Sequence, residues 1–426
     1  MKIRPLATLS PLCLCLLAGA ARADLEPFSF GASEMVQHQS NINHSDEAKK
    51  ASVADWISTT EFNAALAQAL GRDKLVANAA IDLNRYKHTK GLNATGYSAS
   101  AEFDWNTIGD LSGALGADSR RRQFVDGETA DRKPGNTTDN TRNLQTDNHA
   151  FAKIALGGEA RWTIFGGFDA NQRTYSSSAF DDSEEHQWST NVGTNYSTSP
   201  DLSFGLLGTY VRGEYPHGTV TNGPGNTVIK SPSNFDTRTL SATTKWKASG
   251  NSALDASLGV TTENNDALAS NRRFLSGSLN WNWTPPSHFT VNVGVKRSSD
   301  ADTSSTSAST GVANANNLNG TSVNNVAHLE VTYELTAKIN LDASEDYTQR
   351  KYSDLKTTKL DGTTALVDGT TRTSRWFLTA HYRPTRTTDL SCGGGRETRN
   401  ADARLGDATP AYTDNYLQCV ASIRFD

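Results

Sequence analysis

Beyond residue 23 the chain has no apolar run approaching the roughly 20 residues that a membrane-spanning helix needs. Hydrophobic residues are only 36% of 426, and mean hydropathy is −0.55. That is too little apolar matter for the two or three conventional globular domains that such a length ordinarily suggests. Catalytic signatures are missing as well: there is no Gly-x-Ser-x-Gly elbow, no His-Glu-x-x-His helix and no Walker loop. The nine histidines are scattered, several of them (His44, His88, His186, His217) in or beside expected loops. No catalytic site, cofactor site or metal site follows. The acidic run Asp181, Asp182, Glu184, Glu185 lacks the glycine and spacing of a calcium loop and reads as a solvated charge run.

What is present begins with the leader. Lys2 and Arg4, an apolar stretch from Leu6 to Ala18, and Ala21-Arg22-Ala23 form a secretory signal peptide over residues 1–23, which leaves 24–426 as the mature chain. Cys13 and Cys15 each follow Leu, without the small residues of a lipid-attachment site. Loss of Lys2, Arg4 and Arg22 leaves 38 positive side chains against 46 acidic ones, which gives no footing for nucleic acid.

Apolar residues then alternate with polar ones in segment after segment. Tyr97, Ala99, Ala101, Phe103 and Trp105 interleave with Ser98, Ser100, Glu102, Asp104 and Asn106; Leu275, Gly277, Leu279, Trp281 and Trp283 interleave with Ser276, Ser278, Asn280 and Asn282. Period two over about ten residues is the pattern of a strand with one greasy and one wet face. Such strands are expected at 26–36, 56–68, 74–87, 94–106, 111–120, 143–156, 160–174, 187–197, 202–213, 236–247, 252–263, 273–284, 288–298, 325–336, 338–350, 373–383, 389–396 and 413–425. The strand at 389–396, with Gly393-Gly394-Gly395, is the weakest, so eighteen strands are expected with sixteen as the alternative. Tight connections alternate with long ones such as 121–142, 216–235 and 299–324. The fold class is all-β: a transmembrane antiparallel barrel of the bacterial outer membrane, with short periplasmic turns and long outer loops. A soluble β-sandwich would give no reason for a two-ended ring of tryptophans. With odd strands rising from the periplasm, Trp105, Trp162, Trp246, Trp283 and Phe289 gather at one interface, and Trp188 and Trp376 at the other. Glu34, Arg85 and Glu345 fit less well, because they occupy lipid-facing positions, toward the outer ends of their strands.

The polar faces carry Asp82, Glu102, Asp104, Asp118, Arg120, Asp147, His149, Lys153, Asp169, Lys245, Asp255, Lys296, His328, Glu330, Glu334, Asp342, Asp346 and His381. Lining a lumen, these would hold water. Phe151, Phe165 and Phe377 point the same way, either to stack on sugar faces or to pack against loops folded inward. Cys392 and Cys419, the two cysteines of the mature chain, fall on the outward face of the last two strands, whose hairpin geometry permits a disulfide; two free thiols are the alternative. Phe425, one residue before the end, holds the place of the aromatic that commonly closes such chains.

The segments Phe28-Ser29-Phe30-Gly31-Ala32-Ser33-Glu34 with Ser40-Asn41-Ile42, Arg212-Gly213-Glu214-Tyr215-Pro216, and Trp281-Asn282-Trp283-Thr284-Pro285 resemble the EpsL-type proteins of exopolysaccharide operons, within the β-barrel porin group. That resemblance implies an eighteen-stranded barrel that helps carry a polysaccharide chain across the outer membrane. A separate periplasmic or inner-membrane partner would then deliver the polymer to the short-turn face. The residues alone are equally compatible with a general diffusion porin for small solutes. A barrel enzyme would need a site at the lipid boundary that is not visible, and an adhesive barrel would rest on the long loops.

Overall fold

The computed structural model describes residues 27–45, 52–124, 142–158, 160–222, 228–266, 270–299, 321–358, 364–408 and 410–425. The leader read at 1–23 lies outside these residues. The rising and falling strands are β1 (Phe28–Gln39), β2 (Asp55–Leu70), β3 (Asp73–Tyr86), β4 (Ala94–Asn106), β5 (Leu111–Phe124), β6 (Asn143–Leu156), β7 (Trp162–Tyr175), β8 (Glu185–Ser199) and β9 (Leu202–Asn222). They continue as β10 (Val228–Ser249), β11 (Ser252–Asn265), β12 (Ser270–Trp283), β13 (Phe289–Ser299), β14 (Thr321–Thr336), β15 (Ile339–Thr358), β16 (Thr364–Tyr382), β17 (Thr388–Ala401) and β18 (Tyr412–Phe425).

All eighteen belong to one sheet, each paired antiparallel with its sequence neighbour. The sheet closes where β1 meets β18, from Phe30 opposite Phe425 to Gln39 opposite Tyr416. Closure is what a bilayer demands, since an open edge would leave backbone N–H and C=O groups without partners in hydrocarbon. Turns such as 71–72, 200–201 and 250–251 join strands at one end, and the strand ends at Gln39 and Asp55, at Phe124 and Asn143, and at Ser299 and Thr321 lie at the other. The outer face is apolar: Val192 is 67% exposed, Leu240 and Leu258 66%, Leu275 61%. A closed barrel with that belt is a membrane-spanning one, and it resides in the outer membrane.

The aromatic girdles form as the alternation predicts. Near the short turns, Trp162 lies 4.8 Å from Tyr196, Phe289 stacks on Tyr333 at 4.6 Å and Trp281 on Trp283 at 5.9 Å. Toward the other end Trp188 sits between Phe168 and Tyr210. The misfit carboxylates are satisfied locally. Glu34 accepts hydrogen bonds from the hydroxyls of Ser58 and Thr60, and Glu345 from that of Ser374. Arg85 lies opposite Ser58 and is exposed.

Two expectations need correction. The outer loop read at 216–235 is largely ladder: β9 and β10 stay paired out to Asn222 and Val228, with a register shift between Ser231 and Ser233 beside Pro216. Proline has no N–H to give the ladder, so a break in register there keeps the hairpin intact beyond it. Likewise β15 and β16 run on past 350 and begin before 373, again across a shift, between Tyr352 and Leu355.

Strand β17, the weakest reading, is explained by its neighbour. A Cβ on Gly393 or Gly395 would lie 2.9 or 2.5 Å from the ring of Phe377 on β16. The same device recurs with Phe165 across Gly193 (2.3 Å), Phe151 across Gly116 (2.5 Å) and Phe235 across Gly213 (2.2 Å) on the inner wall. Trp105 lies across Gly113 (2.4 Å) on the outer wall. An aromatic ring laid on a facing glycine covers the bare backbone and pins the register of the pair. Cys392 and Cys419 stand directly opposite each other on β17 and β18 and are bonded as a disulfide.

Two outcomes follow. Gly193→Leu leaves the Phe165 ring no place to lie and should cost about 1 to 3 kcal/mol of stability, as overpacking does; adding Phe165→Ala should recover most of it, read as the urea midpoint of the detergent-folded barrel. Thiol labelling of the unreduced, denatured chain should find no reactive cysteine in the mature protein, and two after reduction. Closing this 27-residue separation by a bridge is worth about 3 kcal/mol in the unfolded chain, so a double Cys→Ala variant should fold yet unfold at lower denaturant.

Candidate functional site

Register decides which side chains share the interior. On β3–β7, Asp82 faces Gly96, Glu102 faces Gly116, Asp104 faces Lys74, Asp118 faces His149, Arg120 faces Asp147, Lys153 faces Ala114 and Phe151 faces Asp169. Phe165 faces Gly193. Farther round, Lys245 faces Asp255, Lys296 faces Ser278, Glu330 faces Asn292, Glu334 faces Asn340, Asp342 faces Thr379 and Phe377 faces Gly395. Each lies on the face opposite the exposed apolar residues of its strand. The barrel therefore gathers all of them on one surface, spread around its circumference rather than at a point.

Small networks link them. His149 Nδ1 lies 2.8 Å from Asp118 Oδ1 and its Nε2 3.3 Å from Asp169 Oδ1, with the ring stacked on Phe151 at 5.5 Å. The Lys153 ammonium sits 4.4 Å over the same Phe151 ring. His381 bridges Asp342 (3.2 Å) and Asp389 (3.4 Å), and His328 bonds Asp346 at 2.6 Å. Arg173 donates to Asp147 at 2.8 Å and pairs with Glu185 at 3.6 Å. Arg173 and Asp389 belong to this surface although the sequence reading passed over them; both continue the period-two face of their strands from Asp169 and Ser391, so the signal was there.

Charge on this wall is uneven. Over β2–β4, Glu61, Asp82, Glu102 and Asp104 share the inner face with Lys74 alone among Lys and Arg. Glu61 and Asp82 take their hydrogen bonds from the neutral amides of Asn63 and Asn84. On β14 and β15, below Arg350, Glu330, Glu334, Asp342 and Asp346 have no Lys or Arg beside them on those strands, and Arg375 on β16 faces Asp346. Glu330 accepts from Asn292 and Asp342 from Thr332. Neutral donors orient a carboxylate without cancelling its charge.

The buried apolar side chains lie toward the long-loop end, where loops fold inward. Ile42 from the loop after β1 packs with Ile57, Tyr86 and Leu92. Asp414 on β18, fully buried, accepts hydrogen bonds from the Asn41 N–H (2.9 Å) and the Ser40 hydroxyl (3.1 Å), and lies 3.7 Å from His44. The His44 ring stacks on Tyr412 at 4.3 Å. Asp55 at the start of β2 receives the N–H groups of His88 and Thr89 and so ties down the next loop. Phe180, from the turn at Ser178–Ser183, wedges against Phe124 and Tyr175, and Leu405 packs onto Gly369. Asp55 and Asp414 escaped the sequence reading because their partners are loop residues with no periodicity. The acidic run near 181–185 disperses: Glu184 lies 3.5 Å from His217 and Glu185 pairs with Arg173. Among the described residues no group of three or more His, Cys, Asp or Glu is placed to hold a metal ion.

No protein-family model matches the sequence, and no curated protein matches it. Among solved structures, the chain is similar to a BenF-like porin from Pseudomonas fluorescens at 12% identity, with 94% of this chain and 98% of that one covered and a TM-score of 0.47. It is similar to OccK3 (OpdO) of Pseudomonas aeruginosa at 11% identity, covering 93% and 95% with a TM-score of 0.46. The siderophore receptor PirA of Acinetobacter baumannii is similar at 10% identity, covering 95% of this chain and 81% of that one with a TM-score of 0.45.

Proposed function

We propose that this protein is a diffusion channel for small polar solutes, with a preference for cations. The observation that carries the reading is the continuous polar inner face of a closed eighteen-stranded barrel. A barrel of eight strands fills its interior with side chains, whereas sixteen to eighteen leave an aqueous passage. Carboxylates that outnumber the Lys and Arg beside them over β2–β4 and β14–β15 give that passage a negative wall, and fixed negative charge concentrates cations in a narrow polar lumen. The inward-folded loops narrow the outer mouth along the arc where β18, β1, β2 and β3 meet, and again beside Phe180 and Leu405.

Polysaccharide export was the other expectation, and it rests on the three resembling segments. Phe28 and Phe30 of the first, and Trp281 and Trp283 of the third, are exposed on the lipid face. Arg212 of the second is exposed there too. These residues serve residence in the membrane, so they do not distinguish a polymer from a small solute. The inner rings of Phe151, Phe165 and Phe377 lie against wall glycines on separate strands and make no continuous track for sugars.

In planar bilayers the purified protein should open ohmic pores whose reversal potential in a KCl gradient is cation-selective. Neutralising Glu61, Asp82, Glu102 and Asp104 together should move that potential toward zero. A barrel that conducts no ions, or anion selectivity, would sink the reading, as would loss of extracellular polysaccharide on clean deletion of the gene. Asp414→Ala removes the buried acceptor that anchors the first outer loop, a loss of about 1 to 3 kcal/mol at that anchor; the expected result is larger and noisier single-channel conductance.

A further inference from the structure

On the lipid face of β8–β12 the register stacks three rows that no channel needs. The lowest is apolar: Val192, Gly208, Leu240, Val260 and Leu275 stand side by side. The next toward the outer mouth is Thr190, Tyr210, Arg238, Thr262 and Arg273. Above it Arg212 stands between Trp188 and Asp236. Gly208 carries no side chain, and a Cβ there would meet only the Val192 carbonyl, at 3.8 Å. The result is a cleft of about 590 Å³ in the outer surface, floored by Gly208 and rimmed by Val192, Tyr210, Arg238, Leu240 and Arg273.

Arginine turned toward hydrocarbon is costly, and it becomes tolerable near the headgroups. Here it is grouped. Arg238 lies 5.7 Å over the Tyr210 ring and 3.4 Å from Asp236, whose other oxygen is taken by Asn264. Arg212 and Arg273 are exposed, and among the described residues neither has an ion pair. Two strand spacings separate Arg238 from Arg273, about 9.5 Å. Guanidinium groups above an apolar cleft, with threonine hydroxyls between them, complement an oxygen-rich anion attached to an acyl chain. Asp236 and Glu214 keep this from being an indiscriminate anion surface.

We propose that this patch is a binding site for a phosphorylated, acylated glycolipid of the outer leaflet. Arg212, Arg238 and Arg273 hold the phosphate groups, and one acyl chain lies in the cleft over Gly208. The site is independent of the channel reading, because the lipid face and the lumen are opposite sides of the same strands.

The test is lipid binding by the detergent-folded full barrel, followed by native mass spectrometry with purified lipid A. Bound lipid A is expected, falling at least tenfold in apparent affinity in R238Q/R273Q and again on filling the cleft with G208F. Enzymatically dephosphorylated lipid A and inorganic phosphate should each bind at least tenfold more weakly than lipid A. Arg85→Gln, an outward arginine far round the barrel, serves as the control and should bind as the parent does. Equal binding by R238Q/R273Q in a barrel of unchanged urea midpoint overturns the proposal. So does equal loss in the Arg85 variant, which would make the effect one of general charge, or tight binding of inorganic phosphate alone.

Discussion

A peptide group in hydrocarbon has no water to bond, and leaving it unpaired costs several kcal/mol. Every other feature of this molecule is subordinate to that constraint. It forces the chain into strands, forces each strand to find two neighbours, and forces β18 back onto β1, where ten residue pairs from Phe30–Phe425 to Gln39–Tyr416 close the seam. Once the ring is closed, each strand has a face in lipid and a face in water. The alternation of side chains then becomes a partition between two solvents rather than between a core and a surface.

The partition also explains why a chain this polar is stable with so few buried apolar residues. Hydrophobic burial is done against lipid by residues such as Val192, Leu240 and Leu275, which the barrel leaves exposed on its outer face. Among the described residues the protein's own buried clusters are small: one, around Val211 and Phe235, lies on β9 and β10, and another, around Ile42 and Ile57, sits where a loop turns inward. The polar anchors at Asp55 and Asp414 do there what apolar packing does in a soluble protein: they order backbone that would otherwise be free. Aromatic rings laid across glycines serve the wall itself, filling the gap that a missing side chain leaves and discouraging a slip in register.

Much of this was legible in the residues. The eighteen strands, their direction, the inward set from Asp82 to Phe377 and the two tryptophan rings all follow from period two together with the rule that short turns face the periplasm. Strand ends were less legible. Beyond the membrane nothing forces alternation, so the extended hairpins of β9–β10 and β15–β16 look like loops when read along the chain. The glycine run at 393–395 looked like a weak strand for a related reason, since the ring that justifies it, Phe377, lies sixteen positions away in sequence and one strand away in space.

By itself the sequence determined the class of solvent each residue would meet, because a tilted strand can cross a bilayer only with apolar residues on alternate positions. Pairing across space was left to the tertiary structure. That Cys392 meets Cys419 as a bond rather than as two thiols, that Asp414 receives Asn41 from the far end of the chain, and that Arg238 and Arg273 share one row all depend on register. Register is a property of closure: shifting one strand by two residues keeps every side chain on its proper face and satisfies the local pattern equally well. Only the requirement that all eighteen ladders be paired at once selects a single arrangement.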